Sequence, residues 1–126
     1  MQTEVSDHVT LRPEPQAASL ARQLASRVCD TAGVATDLKD TAVLLASEVV
    51  TNAVVHGRSE ARLLVRARST WIRIEVADDN SRLPIRQAPD PDALDGRGMA
   101  LLEALAGTWG TDSAPLGKIV WFEIGA

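Results

Sequence analysis

The sequence is poor in the residues that several common kinds of functional site require. Cys29 is the only cysteine among 126 residues, so no internal disulfide can form. Together with His8 and His56 it offers ligands that are too few and too scattered for a zinc site. Aromatic residues make up only 3% of the chain, which leaves no stacking platform for single-stranded nucleic acid. Cys29 itself lies in a helical pattern, where buried packing is the simplest interpretation.

Excess basic charge and long apolar runs are also missing. Lys and Arg number 13 against 17 Asp and Glu, and the net charge of -4 argues against direct nucleic acid binding, which needs a basic face. No apolar run reaches the length of a membrane span, and the polar segment 1–10 has no apolar stretch of signal-peptide length. We therefore expect a cytoplasmic protein that does not associate with membranes.

The length and the hydrophobic pattern predict one domain, residues 1–126, with strands and helices in a defined order. A chain of this size buries roughly two-thirds of its unfolded surface, which is enough for a core without disulfides. The predicted elements are a strand at 5–11, a helix at 15–32, a helix from 36 or 37 to about 56, strands at 60–68 and 71–77, a loop at 78–97, a helix at 98–106, and strands at 108–112 and 118–124. Gly33 and Gly57 are expected to end the first two helices, and Thr36 or Asp37 to cap the second. This order predicts one mixed sheet with helices packed on a face.

The second helix carries the first chemical signal. Its segment AVLLASEVVTNAVVHG is mostly apolar, but Glu48, Asn52 and His56 recur every four residues and form one stripe. The stripe is either a narrow solvated edge or the floor of a polar site. It contains no Lys or Arg, which solvated helix faces usually carry. A carboxylate and an amide oxygen suit a hard cation, and a carboxylate can also orient a hydroxyl or a water.

The loop at 78–97 carries the second signal. Asp78, Asp79 and Asn80 follow a strand, and the loop ends in Gly96-Arg97-Gly98 before a helix. Glycines at a helix start let backbone N–H groups approach an anion, although a flexible hinge would use the same residues. No Gly-Lys-Ser/Thr follows, which excludes a P-loop, and the spacing does not match a dinucleotide fingerprint.

In combination, these motifs resemble the GHKL ATPase superfamily, and within it the bacterial anti-sigma serine/threonine kinases. LLASEVVTNAVVHG resembles the family's N box, IEVADDNSRLP its first glycine box and GRGMALLEALAGTWG its second. GKIVWFEI resembles the closing strand, and the likeness extends from about residue 10 to 124. It implies the Bergerat ATP-binding fold, an α+β two-layer α/β sandwich with a mixed, mostly antiparallel sheet and helices on one face.

The resemblance also implies a role for each matching residue in binding ATP with magnesium. Glu48 would act as the base or polarise the attacking group, and Asn52 would be the magnesium ligand that ties the metal to the phosphates. Asp78 would accept a hydrogen bond from the exocyclic amine of adenine. The remaining predicted nucleotide contacts are Asn80, Gly96, Arg97, Gly98 and Met99.

Three departures from the family pattern concern the nucleotide. Many members have Asp-x-Gly where this chain has Asp78-Asp79-Asn80. Ile119 takes the place of a hydroxyl residue that the closing strand often carries near the adenine. The segment 81–95, the implied lid over the phosphates, is short.

Three functions remain open from the sequence. The first is a serine/threonine kinase that phosphorylates an anti-sigma antagonist, with nucleotide also supporting sigma-factor binding. The second is a non-catalytic module in which ATP shapes a partner-binding surface, and the third is a degenerate relative that acts by protein contact alone. The resemblance implies a homodimer, and Arg22 in SLAR matches an arginine that the family often uses in partner contact. Lys118 either reaches a phosphate or is solvated at the start of its strand.

Overall fold

The structure, a computed structural model, describes residues 3–56, 59–78, 105–114 and 117–126. Its elements are β1 (Val5–Leu11), α1 (Ala17–Ala32), α2 (Thr36–Thr51), β2 (Ala61–Arg68), β3 (Trp71–Asp78), β4 (Thr108–Ala114) and β5 (Gly117–Gly125). The five strands and the first helix lie where the hydrophobic pattern predicts them, with their ends shifted by at most two residues. The predicted loop at 78–97 and the third helix at 98–106 lie outside the described residues, apart from 78, 105 and 106.

The described strands form one sheet in the order β1-β2-β3-β5-β4, and each of their pairings is antiparallel. The helix α1 contacts β1 and β2, and α2 contacts β3 and β5, so both helices cover the same face. This arrangement confirms the predicted α+β sandwich of two layers. Among the helices of the described residues, none combines the length and apolar character that a membrane span needs.

The core lies between the helices and the inner face of the sheet. Period-two alternation places Leu63 and Val65 of β2 and Ile72 and Ile74 of β3 on that face, where each is 0% exposed. Helix α1 adds a buried stripe that includes Leu24. Burying one such aliphatic side chain contributes about 1.5–3 kcal/mol, so this interface holds the helices against the sheet.

Helix α1 ends as the sequence predicts. Gly33 has φ 75° and ψ 30°, a left-handed conformation that glycine adopts without strain. Its N–H donates to the carbonyl of Asp30 over 3.1 Å, and the N–H of Val34 donates to that of Cys29 over 2.9 Å. These two bonds satisfy carbonyls that a helix end otherwise leaves without partners.

Both ends of α2 differ from the prediction. Neither Thr36 nor Asp37 caps the helix, because Thr36 is already helical and the extended residue before it is Ala35, which has no side-chain acceptor. Asp37 instead lies in the first turn, where a negative charge is favourable next to the helix N-terminus. At the other end the α-helix stops at Thr51 and continues as a π-helical turn, Asn52–His56. Single π-helical turns of this kind often occur at functional sites.

Candidate functional site

Asp78 is the clearest candidate for a functional side chain. It is the last residue of β3 and continues the inner-face series of Ile72, Ile74 and Val76, so it points into the layer between sheet and helices. It is 3% exposed, and among the described residues it is the one charged or polar residue that is buried. Burying a carboxylate is costly unless charge and hydrogen-bond partners compensate, so such a position indicates a specific role.

Lys118 provides one compensating charge. It lies directly opposite Asp78 in the β3–β5 pairing, and its Nζ is 3.8 Å from Asp78 Oδ2. Neither interpretation of Lys118 from the sequence included this ion pair. The same register places Ile119 opposite Ala77, on the sheet face that points away from the helices. The residue paired with Asp78 is therefore Lys118, and Ile119 lies on the opposite face of the sheet.

Asn52 supplies a second unusual polar group. Its side-chain oxygen Oδ1 is buried and has no hydrogen-bond partner among the described residues. Most buried polar atoms in folded proteins have such a partner, so an orphaned acceptor suggests a ligand that completes it. An amide oxygen is one of the oxygen donors that Mg²⁺ accepts, and Asn52 therefore fits the predicted role of a magnesium ligand.

Glu48 lies one helical turn before Asn52 on α2 and is half-buried. At this spacing the two side chains share a face of the helix. The backbone N–H of Asn52 donates to the carbonyls of both Glu48 and Val49, where the α-helix gives way to the π-helical turn. Residue His56, the third member of the predicted polar stripe, ends that turn.

The topology brings the end of α2 to the same end of the sheet as Asp78. Ala61, the first residue of β2, is paired with Asp78. Five peptide steps separate His56 from Ala61, which span on the order of 17 Å when fully extended. The chain therefore keeps the end of the π-helical turn within that distance of the residue paired with Asp78. The other predicted contacts lie outside the described residues: Asn80, Gly96, Arg97, Gly98 and Met99.

Arg22, the predicted partner-contact residue, is exposed on α1. Its Nη1 donates to the hydroxyl of Ser47 on α2 over 3.1 Å. It lines a polar groove between the two helices together with Arg27, Asp30 and Lys39. Arg22 is therefore on the helix side of the molecule, away from the outer sheet face.

The outer sheet face carries stacked arginine and tryptophan side chains. The guanidinium of Arg68 lies 4.2 Å from the ring of Trp71, and that of Arg73 lies 4.5 Å from the ring of Trp121. Trp71 Nε1 donates to Glu123 over 2.9 Å, and Arg73 donates to the same carboxylate over 2.6 Å. These donors, the indole N–H first, lower the pKa of Glu123. Trp71 and Trp121 thus pack against arginine side chains on the outer face of the sheet.

Comparisons with known proteins agree with this architecture. The sequence matches the family described as "Histidine kinase-like ATPase domain" over residues 10–124. None of the curated proteins is significantly similar to it. A solved structure of the RsbU and RsbW domains of Rv1364c from Mycobacterium tuberculosis superposes with a TM-score of 0.71 at 20% identity. That match covers 95% of this chain and 31% of the other.

The histidine kinase domain of a blue-light activated histidine kinase from Erythrobacter litoralis EL346 superposes with a TM-score of 0.55 at 21% identity. That match covers 86% of this chain and 60% of the histidine kinase chain. The chain thus spans about a third of the first solved chain and less than two-thirds of the second. At 20% and 21% identity, the two structural matches establish the fold alone. The family match covers both described helices and the strands β2 to β5 apart from the last residue of β5, and it includes the last two residues of β1. The chain therefore belongs to the histidine kinase-like ATPase domain family, within the GHKL superfamily.

Proposed function

We propose that the chain is an ATP- and magnesium-binding regulatory protein. The observation that carries this proposal is the buried carboxylate of Asp78 on the inner face of β3. A carboxylate there accepts a hydrogen bond from the exocyclic amine of adenine. Guanine has an oxygen in place of that amine, so binding it would leave buried acceptors facing each other. A mismatch of this kind costs about 10²-fold in affinity or more.

Asn52 supports the magnesium part of the proposal. Its orphaned Oδ1 would hold the ion, together with phosphate oxygens and waters, because Mg²⁺ usually binds few protein ligands in nucleotide sites. When bound, the ion neutralises negative charge on the phosphates. Asn52 needs no net charge for this role, and it lies one helical turn after Glu48, at the start of the π-helical turn.

We propose that the protein uses the nucleotide as a serine/threonine kinase of the anti-sigma type, phosphorylating an anti-sigma antagonist, binding a sigma factor, or both. Glu48 would then accept a proton from the attacking hydroxyl or orient it, while positioning supplies most of the catalysis. Its half-buried place one turn from Asn52 is compatible with that role. The exposed Arg22 beside the α1–α2 groove is our candidate for partner contact.

The second candidate function is a nucleotide-dependent binding module without phosphoryl transfer. It shares Asp78 and Asn52 with the kinase but does not need the carboxylate of Glu48. The single-domain organisation, the homodimer and the cytoplasmic location that the sequence implies stay predictions under either function.

The test is a calorimetric titration with ATP, with and without magnesium, of the wild type and of Glu48→Gln, followed by a transfer assay on a serine-containing antagonist protein. We expect magnesium-dependent binding by both proteins and transfer by the wild type alone. Equal transfer by Glu48→Gln would overturn the kinase mechanism. Binding without transfer by the wild type would favour the second function, and absence of binding would overturn both.

A further inference from the structure

We propose that Lys118 is a positioning residue of the purine subsite, whose ammonium group keeps the buried carboxylate of Asp78 charged and directed towards a 6-aminopurine. This inference rests on the proposed ATP binding. It adds a specificity-determining residue that lies on β5, whereas Asp78 is the last residue of β3.

The two side chains of the ion pair differ in burial. The side chain of Asp78 is 2% exposed and that of Lys118 is 21% exposed. The carboxylate has therefore lost nearly all contact with solvent, whereas the ammonium group retains some. A buried carboxylate without an opposite charge nearby takes up a proton more readily, because burial disfavours the charged form. Lys118 opposes that tendency from the neighbouring strand.

The distance between the two charged groups allows attraction without a hydrogen bond. Nζ and Oδ2 are 3.8 Å apart, close enough for strong attraction at a buried site but too far for a hydrogen bond. The ammonium group thus contributes charge without itself occupying a lone pair of the carboxylate. The only other lysine, Lys39, behaves differently, since it donates to Asp30 over 2.9 Å.

The register of β3 and β5 places the two residues side by side. Because Asp78 and Lys118 are paired in the β3–β5 ladder, the sheet backbone determines their relative position. Directly paired residues have Cβ atoms about 4.5–5.5 Å apart, so the ammonium group of Lys118 reaches Asp78 without any movement of the backbone. A lysine at this position therefore acts on Asp78 before any nucleotide arrives, which is what a positioning residue must do.

The chemical consequence concerns the 6-amino group of the base. A hydrogen bond to an ionised carboxylate is roughly twice as strong as one to a neutral group. A neutral Asp78 would also carry an O–H donor, and the amine of adenine, itself a donor, cannot accept a hydrogen bond from it. Removing the charge of Lys118 should therefore weaken recognition of the 6-amino group specifically and leave recognition of the phosphates intact.

The experiment titrates three variants, Lys118→Met, Lys118→Arg and Lys39→Met, with ATP and with purine riboside triphosphate, which lacks the 6-amino group. Lys39→Met is the matched control, because the same substitution is made at a side chain of similar exposure, 23%, whose partner Asp30 is 61% exposed. Circular dichroism of each variant checks folding, and Lys118→Gln replaces Lys118→Met if the latter does not fold.

We expect the wild type to prefer ATP over the analogue, and Lys118→Met to lose about tenfold of that preference. Lys118→Arg should restore the preference and Lys39→Met should leave it unchanged. A lower affinity of Lys118→Met for both nucleotides by the same factor indicates a purely structural role and overturns the inference, as does an unchanged preference. A wild type that binds neither nucleotide overturns the proposed function itself, which separates the two failures.

Discussion

Replacing Asn52 with leucine should stabilise the free protein while abolishing its response to magnesium and ATP. The buried Oδ1 of Asn52 has no partner among the described residues, and such an acceptor costs about 1–3 kcal/mol. Leucine has a similar shape and carries no polar atom, so Asn52→Leu should recover about 1–2 kcal/mol of that cost. A functional residue that weakens the free protein is expected where a site is shaped for a ligand.

The expected change in melting temperature follows from the size of the chain. Unfolding entropy is about 2.1 cal/mol/K per residue, or ~0.26 kcal/mol/K for 126 residues. A gain of about 1–2 kcal/mol therefore raises the melting temperature by ~4–8 °C. Magnesium and ATP at 100 times the dissociation constant add about 2.7 kcal/mol to the wild type, or ~10 °C, and should add almost nothing to the variant.

The assay is thermal unfolding of both proteins with and without magnesium and ATP. We expect their order to reverse, with the variant melting higher alone and the wild type melting higher with ligand. Thr51→Val is the matched control. The hydroxyl of Thr51, the residue before Asn52, has a hydrogen-bond partner, because it donates to the carbonyl of Ser47 over 2.7 Å. Its removal should change stability by less than about 0.5 kcal/mol. An Asn52→Leu variant that is destabilised and still gains ~10 °C from the ligand would refute the reasoning.

Three further predictions concern parts of the molecule away from the nucleotide. The pKa of Glu123 is lowered, chiefly by the indole N–H of Trp71, so its contribution to stability is present above pH ~4.5 and is lost as the pH falls through its folded-state value. Glu123→Gln should therefore flatten the loss of stability between pH 5 and 3 in urea unfolding curves, and an unchanged slope would contradict this. In Gly110→Ala, the new Cβ would lie 2.8 Å from the indole of Trp121, so we expect the free energy of unfolding to fall by about 1–3 kcal/mol in the same measurement. An unchanged free energy of unfolding would show that the ring moves freely. Burial raises the pKa of the Cys29 thiol to about 11, so iodoacetamide at pH 8 should modify the unfolded chain and spare the folded one; rapid modification of the folded protein would show that the thiol is accessible.

The sequence predicted the parts of the fold that depend on short-range patterns. Alternating apolar residues predicted β2 and β3, because one face of each strand is more buried than the other. Gly33 identified the end of α1 because the left-handed conformation there favours glycine. Asn52 was selected as a polar exception in an apolar helix and Asp78 as the acidic residue that follows a strand, and both have buried acceptors in the structure.

Features that depend on long-range contacts were not predictable in the same way. The pairing of β3 with β5 joins segments separated by the whole loop at 78–97, and no turn sets its register. Lys118 was therefore not placed beside Asp78. The π-helical turn at Asn52–His56 also leaves no trace in the apolar period. Helix α2 begins directly after Ala35, although Thr36 and Asp37 are better capping residues.

The measurement that tests the account most directly is a calorimetric titration of the wild type and Asp78→Asn with ATP and with GTP, both in the presence of magnesium. The substitution keeps the shape of the side chain and exchanges one acceptor oxygen for a donor. We predict that the wild type binds ATP at least 10²-fold more tightly than GTP, and that Asp78→Asn loses most of this discrimination through weaker binding of ATP. Equal binding of ATP and GTP by the wild type, or ATP binding that Asp78→Asn leaves unchanged, would contradict the assignment of Asp78 to the purine.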